Sequence, residues 1–321
     1  MTLTIIADIG SNYTCEQDIL EAIAPVKKAG ADIFKLQYFN HRDLYGFPAV
    51  HQEMPKLNLE KIALACQAEG IEMMCSVFNE RDVAYVDRYV QRHKIASAEA
   101  THPVLLQTVA ATGKPVIIST GCLNEDDFKE IFRIINHKNT IVMYCESEYP
   151  ARNVDLGFLC NLMTIKDKNS FDFYLGFSDH CFDIHQTSRI AVSRYRVKTL
   201  EKHVYHRKVL GPDMGHSIST DELEEYCKRC RHHENGFDDL WLFLNDKDFV
   251  RRPIATQHID SWQKLEYGKN WGFYRSKASD LVPCDNFDFM AIYRSNNMIA
   301  NHIIMAGEPI YLHNVRLVPK D

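Results

Sequence analysis

Over its first three-quarters the chain alternates between short runs rich in β-branched residues and longer stretches whose apolar positions recur every three or four residues. The short runs predict strands at Thr4 to Ile9, Asp32 to Phe39, Glu72 to Phe78 and His93 to Ser97. Four more are predicted at Pro115 to Thr120, Thr140 to Cys145, Tyr174 to Ser178 and Thr199 to His203. The amphipathic stretches between them predict helices, among them Gln17 to Ala29, Leu59 to Ala68 and Glu125 to Ile135. Gly30, Gly70 and Gly113 fall where a helical pattern stops ahead of the next strand, the usual place for a glycine helix exit. Eight strands alternating with helices over this length predict a (β/α)8 TIM barrel. A doubly wound open sheet shares the alternation, but no Gly-rich dinucleotide turn follows the first strand.

After about residue 245 the pattern changes. Residues 246–270 are polar and irregular, with Arg251-Arg252-Pro253, and read as a linker. From Trp271 onward come short β-like pieces, Ala291-Ile292-Tyr293 and His302-Ile303-Ile304, and a turn at Ala306-Gly307-Glu308-Pro309. The division expected is therefore a barrel over 1–245, a linker over 246–270 and a small β-rich domain over 271–321.

Composition narrows the function classes. A net charge of −6 without a basic stripe argues against a nucleic-acid partner. No apolar run is long enough to span a bilayer, and the N-terminus reads directly as a strand rather than as a signal peptide. The ten cysteines are scattered, several inside apolar runs, which favours a reducing cytoplasm over a disulfide framework. Cys227-Lys228-Arg229-Cys230, followed by His232 and His233, superficially suggests zinc. The pattern from Thr220 to Tyr226 instead predicts a capped helix running through both cysteines, and no second pair at zinc spacing follows.

The candidate chemistry lies at the strand ends, where a parallel barrel collects its functional side chains. These are Asp8, Lys35, Ser76, Lys94, Ser97, Glu99, Ser119 in Ser119-Thr120-Gly121, Glu146-Ser147 with Tyr149, His180 and His203. Two imidazoles on neighbouring strand ends, in Ser178-Asp179-His180 and Glu201-Lys202-His203, can share one divalent metal, with Asp213 of Gly211-Pro212-Asp213 closing over the same mouth. Lys35 and Lys94 interrupt apolar strands, where an unpaired ammonium is costly, so each must face solvent or an anion. With Ser76, Ser97 and Ser119 they suit a substrate carrying phosphate and carboxylate. Glu99 and Asp8 are candidates for proton transfer or for ordering water. Taken singly, each of these residues also fits a purely structural role, as a rim salt bridge or a polar loop tip.

In this order and spacing the segments resemble the sialic acid synthase family. The resemblance runs from Ile5 to about Leu223. It is carried by Ala7-Asp8-Ile9-Gly10-Ser11-Asn12, Lys35-Leu36-Gln37, Lys94-Ile95-Ala96-Ser97-Ala98-Glu99 and Gly113-Lys114-Pro115-Val116-Ile117-Ile118-Ser119-Thr120-Gly121. It continues through Cys145, Tyr149-Pro150, Gly176-Phe177-Ser178-Asp179-His180, Glu201-Lys202-His203 and Gly211-Pro212-Asp213. The resemblance implies condensation of phosphoenolpyruvate with an amino sugar such as N-acetylmannosamine to a nine-carbon keto acid. It assigns His180 and His203 to a divalent metal, Mn2+ or Mg2+, and Lys35, Ser76, Lys94, Ser97, Ser119 and Ser178 to phosphoenolpyruvate. Tyr149 and Asp213 fall to the acceptor sugar and Glu99 to the catalytic carboxylate. A small antifreeze-like (SAF-like) C-terminal domain capping the partner's barrel in a domain-swapped homodimer is also implied.

The chain departs from the family pattern at several positions. Asp8 stands where the family has Glu, Cys75-Ser76-Val77-Phe78 replaces Ser-Thr-Pro-Phe, and Ser147 replaces Asn. The stretch from Asn40 to Leu57 is short, and the Arg-Pro-Gly-Asn-Gly loop is missing, with Arg294 in Arg294-Ser295-Asn296-Asn297 as the stand-in. The phosphoenolpyruvate and metal positions are kept better than the sugar positions, which points to the same chemistry on a different acceptor. The alternatives are a related synthase of seven- or eight-carbon sugar acids, a lyase-type aldolase, and a non-catalytic sugar- or metal-binding relative.

Overall fold

The computed structural model describes residues 2–39, 57–121, 123–152, 154–181, 183–207, 212–232, 249–277, 293, 296–301, 303–306, 310 and 315–319. Eight parallel strands form a closed barrel: β1 (Thr4–Asp8), β2 (Ile33–Tyr38), β3 (Glu72–Val77), β4 (His93–Ile95), β5 (Val116–Ser119), β6 (Thr140–Tyr144), β7 (Tyr174–Asp179) and β8 (Thr199–Tyr205). Each pairs with the next in sequence, and β1 pairs with β8 to close the cylinder, Asp8 standing opposite His203. A two-residue strand, β9 (Ile218–Ser219), adds to the end of β8. The predicted (β/α)8 TIM barrel is the observed fold, with each predicted strand placed to within about two residues at either end.

Helices fill the crossovers: α1 (Glu16–Lys28), α2 (Leu59–Glu69), α3 (Glu80–Val86), α4 (Pro103–Ala111), α5 (Glu125–Ile134), α6 (Phe158–Lys168), α7 (Gln186–Tyr195) and α8 (Thr220–His232). Several of their starts are set by side chains that satisfy orphan N–H groups. Asn58, Asn79 and Asn124 each accept from the first turn of α2, α3 and α5. Gly70 then ends α2 in the left-handed conformation, at φ 65°, as its position predicted. Cys227 and Cys230 are buried along α8 within the main core, as the helical reading required.

Two-residue periodicity divides each strand between the barrel lumen and the helix layer. Ile5, Ala7, Phe34, Leu36, Cys75, Val116, Ile118, Phe177 and Leu200 join the core beneath the helices. The alternate residues Ile6, Ile33, Met74, Ile117, Ile141 and Met143 form a separate apolar plug. A side chain on Gly176 would crowd Ile141 and Met143 of this plug, at 3.1 and 3.2 Å, so glycine there leaves them room. Two residues further along the same lumen-facing rows the character reverses: Asp8, Lys35, Ser76 and Ser119 follow Ile6, Ile33, Met74 and Ile117. The plug thus floors a polar chamber at the carboxyl ends of the strands.

The chain divides into two compact units, Met1–Phe237 and Asp238–Asp321. In the second, β10 (Phe249–Ala255) pairs antiparallel with β11 (Trp271–Lys277), and β12 (Asn296–Ala300) with β13 (Val315–Pro319). Trp271 is fully buried in a small core with Ile259, Leu265, Met298 and Ile304. Residues 246–270, expected as a linker, include the strand β10 and the core residues Ala255, Ile259 and Leu265. Arg251-Arg252-Pro253 looked like a break. A two-stranded ribbon, however, leaves one edge of each strand unpaired and can take a proline there. His302-Ile303-Ile304 supplies one bridge, Ile259 to Ile304. Ala291, Ile292, Gly307, Glu308 and Pro309 lie outside the described residues, as do Cys122, Cys284 and His233. Among the described residues no helix is long and apolar enough to cross a membrane.

Candidate active site

The polar chamber is built around one carboxylate. Glu201, two residues before His203 on the lumen-facing side of β8, is 2% exposed. Its Oε1 stands 3.4 Å from Lys35 Nζ and 3.4 Å from Lys94 Nζ, and accepts a hydrogen bond from Ser178 Oγ at 3.0 Å. Lys35 also pairs with Asp8, whose other oxygen accepts from the Gly10 N–H at 3.0 Å. Two ammoniums and two carboxylates are thus interleaved in the lumen. Burial alone would raise the Asp8 carboxyl, but Lys35 and then His203 override it and hold it below the ordinary carboxylate range. Burial opposes the charge on Lys35 too, and Asp8 and Glu201 reverse that, raising it. Among the described residues Lys94 has no such second carboxylate partner. Burial lowers its pKa, with Glu201 opposing and Lys35 adding to the fall.

Beside this cluster stands an imidazole group. His180 Nδ1 lies 2.7 Å from the Glu146 carbonyl, so that nitrogen carries the proton and donates it, while Nε2, with its lone pair, faces Ser178 Oγ at 3.2 Å. Burial, with His203 next, pushes the His180 pKa down to about 3, so its ring is neutral. The Tyr149 ring packs 4.3 Å from the His180 ring and 4.8 Å from that of His216. His203 from β8, and Asp213 and His216 from the 3-10 turn Pro212–His216, present three donor atoms within 4.8 Å of one another. That turn is tied to β1 and β8: Ser11 N–H donates to Asp213 Oδ2 at 2.7 Å, and Asn12 Nδ2 donates to Val204 O and Ser217 Oγ. A methyl on Gly10, at φ 54°, would collide with the Asp213 carboxylate, so glycine there lets the turn approach.

Among the described residues, several buried polar atoms at this end of the barrel have no hydrogen-bond partner: Glu201 Oε2, His203 Nδ1, His216 Nε2, Thr120 Oγ1, Ser11 Oγ and Asn12 Oδ1. Buried polar groups are almost always paired, so a concentration of exceptions at one end of the barrel marks a region suited to a ligand. Imidazoles and a carboxylate are also a fitting donor set for a divalent ion.

The sequence-predicted residues sort as follows. Asp8, Lys35, Lys94, Ser178, His180, His203 and Asp213 join one network of contacts, and Ser76 and Ser119 line the same lumen rows. Ser97 lies at the start of a 3-10 turn, Ser97–Glu99, with its Oγ accepting from Gly121 N–H and 3.2 Å from Cys145 Sγ. Ser147 is exposed beside Gly121. Glu99 is half-buried at the end of the same turn, its pKa raised by burial against the pull of Lys94 and His102. Arg294 and Gly211 lie outside the described residues. Two residues escaped assignment from sequence. Glu201 was visible only as the first member of a His motif, although its spacing of two from His203 puts both on one face. His216 sits in an irregular turn, where no periodicity announces it.

The NeuB family profile matches residues 22–239. An uncharacterized protein of Methanocaldococcus jannaschii is 32% identical over 281 residues, covering 81% of each chain. A pseudaminic acid synthase of Campylobacter jejuni is 28% identical, covering 78% of this chain and 79% of its own. Among solved structures, an N-acetylneuraminic acid (sialic acid) synthetase of Leptospira borgpetersenii in complex with citrate superposes with a TM-score of 0.67 at 25% identity, over 75% of this chain and 87% of the other. A profile match across more than half of the chain, on a barrel whose strand ends carry this network, places the protein in the NeuB family.

Proposed function

We propose that the chain is a synthase that condenses phosphoenolpyruvate with the aldehyde of an amino sugar, of the N-acetylmannosamine kind, giving a nonulosonic acid and inorganic phosphate. The observation that carries this reading is the pair of buried ammoniums, Lys35 and Lys94, converging on a single oxygen of Glu201. In the free protein Glu201 and Asp8 balance the two positive charges. A donor bearing both phosphate and carboxylate would meet two preplaced cations and the hydroxyls of Ser76, Ser97, Ser119 and Ser178. The related pseudaminic acid synthase supports the same reaction class.

Carbon 3 of phosphoenolpyruvate attacks the aldehyde carbon, forming the C–C bond, and the aldehyde oxygen takes up a proton. Water adds to carbon 2, and the C–O bond to phosphate breaks as the ketone forms. Lys35 and Lys94 hold the donor's anionic groups through both steps and stabilise the departing phosphate. Glu99, whose carboxyl burial raises above its ordinary range, would exchange the proton, and Asp8, kept ionised, would order the attacking water beside Lys35. Tyr149 and Asp213 border the acceptor. A divalent ion held by His180 and His203 would polarise the aldehyde oxygen.

The test is phosphate release from phosphoenolpyruvate with Mn2+ and a panel of N-acetylated amino sugars. Release that depends on one of these sugars, with a keto acid of matching mass, is the expected result. Release with pyruvate-type products but no sugar dependence, or no release with any acceptor despite phosphoenolpyruvate binding, would overturn the reading.

A further inference from the structure

His216 has no part in the reading so far, yet it occupies a distinctive position. His203 Nδ1 lies 3.9 Å from Asp213 Oδ2, and His216 Nε2 lies 3.8 Å from Asp213 Oδ1. Both separations are too long for hydrogen bonds. They are close to the spacing of neighbouring ligands around one ion: with bonds of about 2.1 Å, adjacent donors sit roughly 3.0–3.6 Å apart. The two nitrogens are buried and, among the described residues, without a hydrogen-bond partner, on side chains only 6% and 4% exposed. Their rings meet edge to face at 4.7 Å rather than stacked. Asp213 and His216 are three residues apart in a 3-10 turn, which brings their side chains onto one face. The turn is held to the barrel wall through Ser11, Asn12 and Ser217, so the donors are positioned before any ion arrives.

We propose that His216 is a further imidazole ligand of the divalent ion, completing a His203–Asp213–His216 set at the mouth beside His180. The proposal rests on the metal reading above and deepens it. It also predicts selectivity. Magnesium favours oxygen donors, whereas imidazole suits first-row transition ions, so this set binds Co2+ and Zn2+ most tightly, Mn2+ less, and Mg2+ least.

The test uses the full chain stripped with chelator and titrated by calorimetry with Zn2+, Co2+, Mn2+ and Mg2+ separately. The wild type is expected to bind one equivalent in that order. His216→Ala should weaken Co2+ and Zn2+ by about tenfold or more while leaving Mg2+ nearly unchanged, compressing the order. If His216→Ala does not fold, His216→Gln keeps a polar side chain of similar reach and takes its place, with the ion-free melting temperature as control. In the wild type, 15N-labelled histidine rings observed by NMR on Zn2+ addition should show three coordinated imidazoles, against two for the His180–His203 pair alone. Binding with unchanged affinity and order in the variant, or two coordinated rings, overturns the role of His216 and leaves the metal reading standing. No stoichiometric binding of any ion to the wild type removes both.

Discussion

A lysine in the middle of an apolar strand is conspicuous in a sequence because so little else explains it, and both Lys35 and Lys94 were legible for that reason. Their partner was not: Glu201 was seen only as the opening residue of Glu201-Lys202-His203, although its spacing of two from His203 puts both on one face of the strand. His216 was hidden more deeply, since its neighbours in the turn follow no period and its relation to His203 exists only after folding. The two lysines also differ in a way the sequence cannot express. Lys35 is braced by two carboxylates and Lys94 by one. Lys94→Met should therefore be tolerated by the fold, since Glu201 keeps Lys35 and Ser178. It should weaken phosphoenolpyruvate by about 1.5–3 kcal/mol, roughly tenfold to a hundredfold in affinity. Binding titrations with the donor alone check this, and a change confined to the sugar's KM would place the donor elsewhere.

Among the elements, the eight barrel strands were the most readable part of the chain. A parallel strand covered on both faces reads as a nearly continuous apolar run, and the polar residues that end each run mark its carboxyl terminus. The ribbon β10–β11 was the least readable, because two-stranded pairing imposes no such pattern on Arg251-Arg252-Pro253. Strand β4 carries a testable feature of its own. His93 is fully buried, with Nε2 2.9 Å from Asp87 Oδ1 on the far side from the chamber. Burial lowers its pKa below the ordinary 6.5, with Asp87 only partly opposing. The folded state therefore prefers the neutral ring, and protonation favours the unfolded chain. Stability from this residue is present in full above pH 6.5 and is lost as pH falls from there through the folded-state value. Thermal melts between pH 8 and 5 should show a falling Tm, with a shallower fall for His93→Gln, which cannot titrate. Equal slopes in the two proteins would show that other groups account for the loss.

At the scale of the whole molecule, each unit has its own core, the larger one running to residue 237. A chain ending there retains every barrel strand and should fold alone with a single cooperative melt. Its donor and metal affinities should match those of the full chain, because every residue of the network described above lies before that point. If the small domain of a second copy encloses the acceptor, as the resemblance implies, the shortened chain will need far more sugar for the same rate. Full activity at unchanged sugar concentration would remove that role. The opposite end of the barrel carries the ion pairs Arg92 to Glu72 and Arg231 to Asp32.

The alternation along β7 and β8 has one further consequence. Ser178 and Glu201 face the lumen, while Asp179 and Lys202, each next in the chain, face the helices, pairing at 3.1 Å, with Ser188 of α7 donating to Asp179. A gain or loss of one residue early in β8 would turn the groups that follow it on that strand to the wrong side. Glu201 and His203 would be driven among helix side chains, and Lys202 would enter the chamber in their place. Descendants of this chain can exchange side chains at these positions one at a time, but they can change length only in the loops. Sequence gaps between Gly176 and Asp179, or between Thr199 and His203, should therefore be absent from any functional relative.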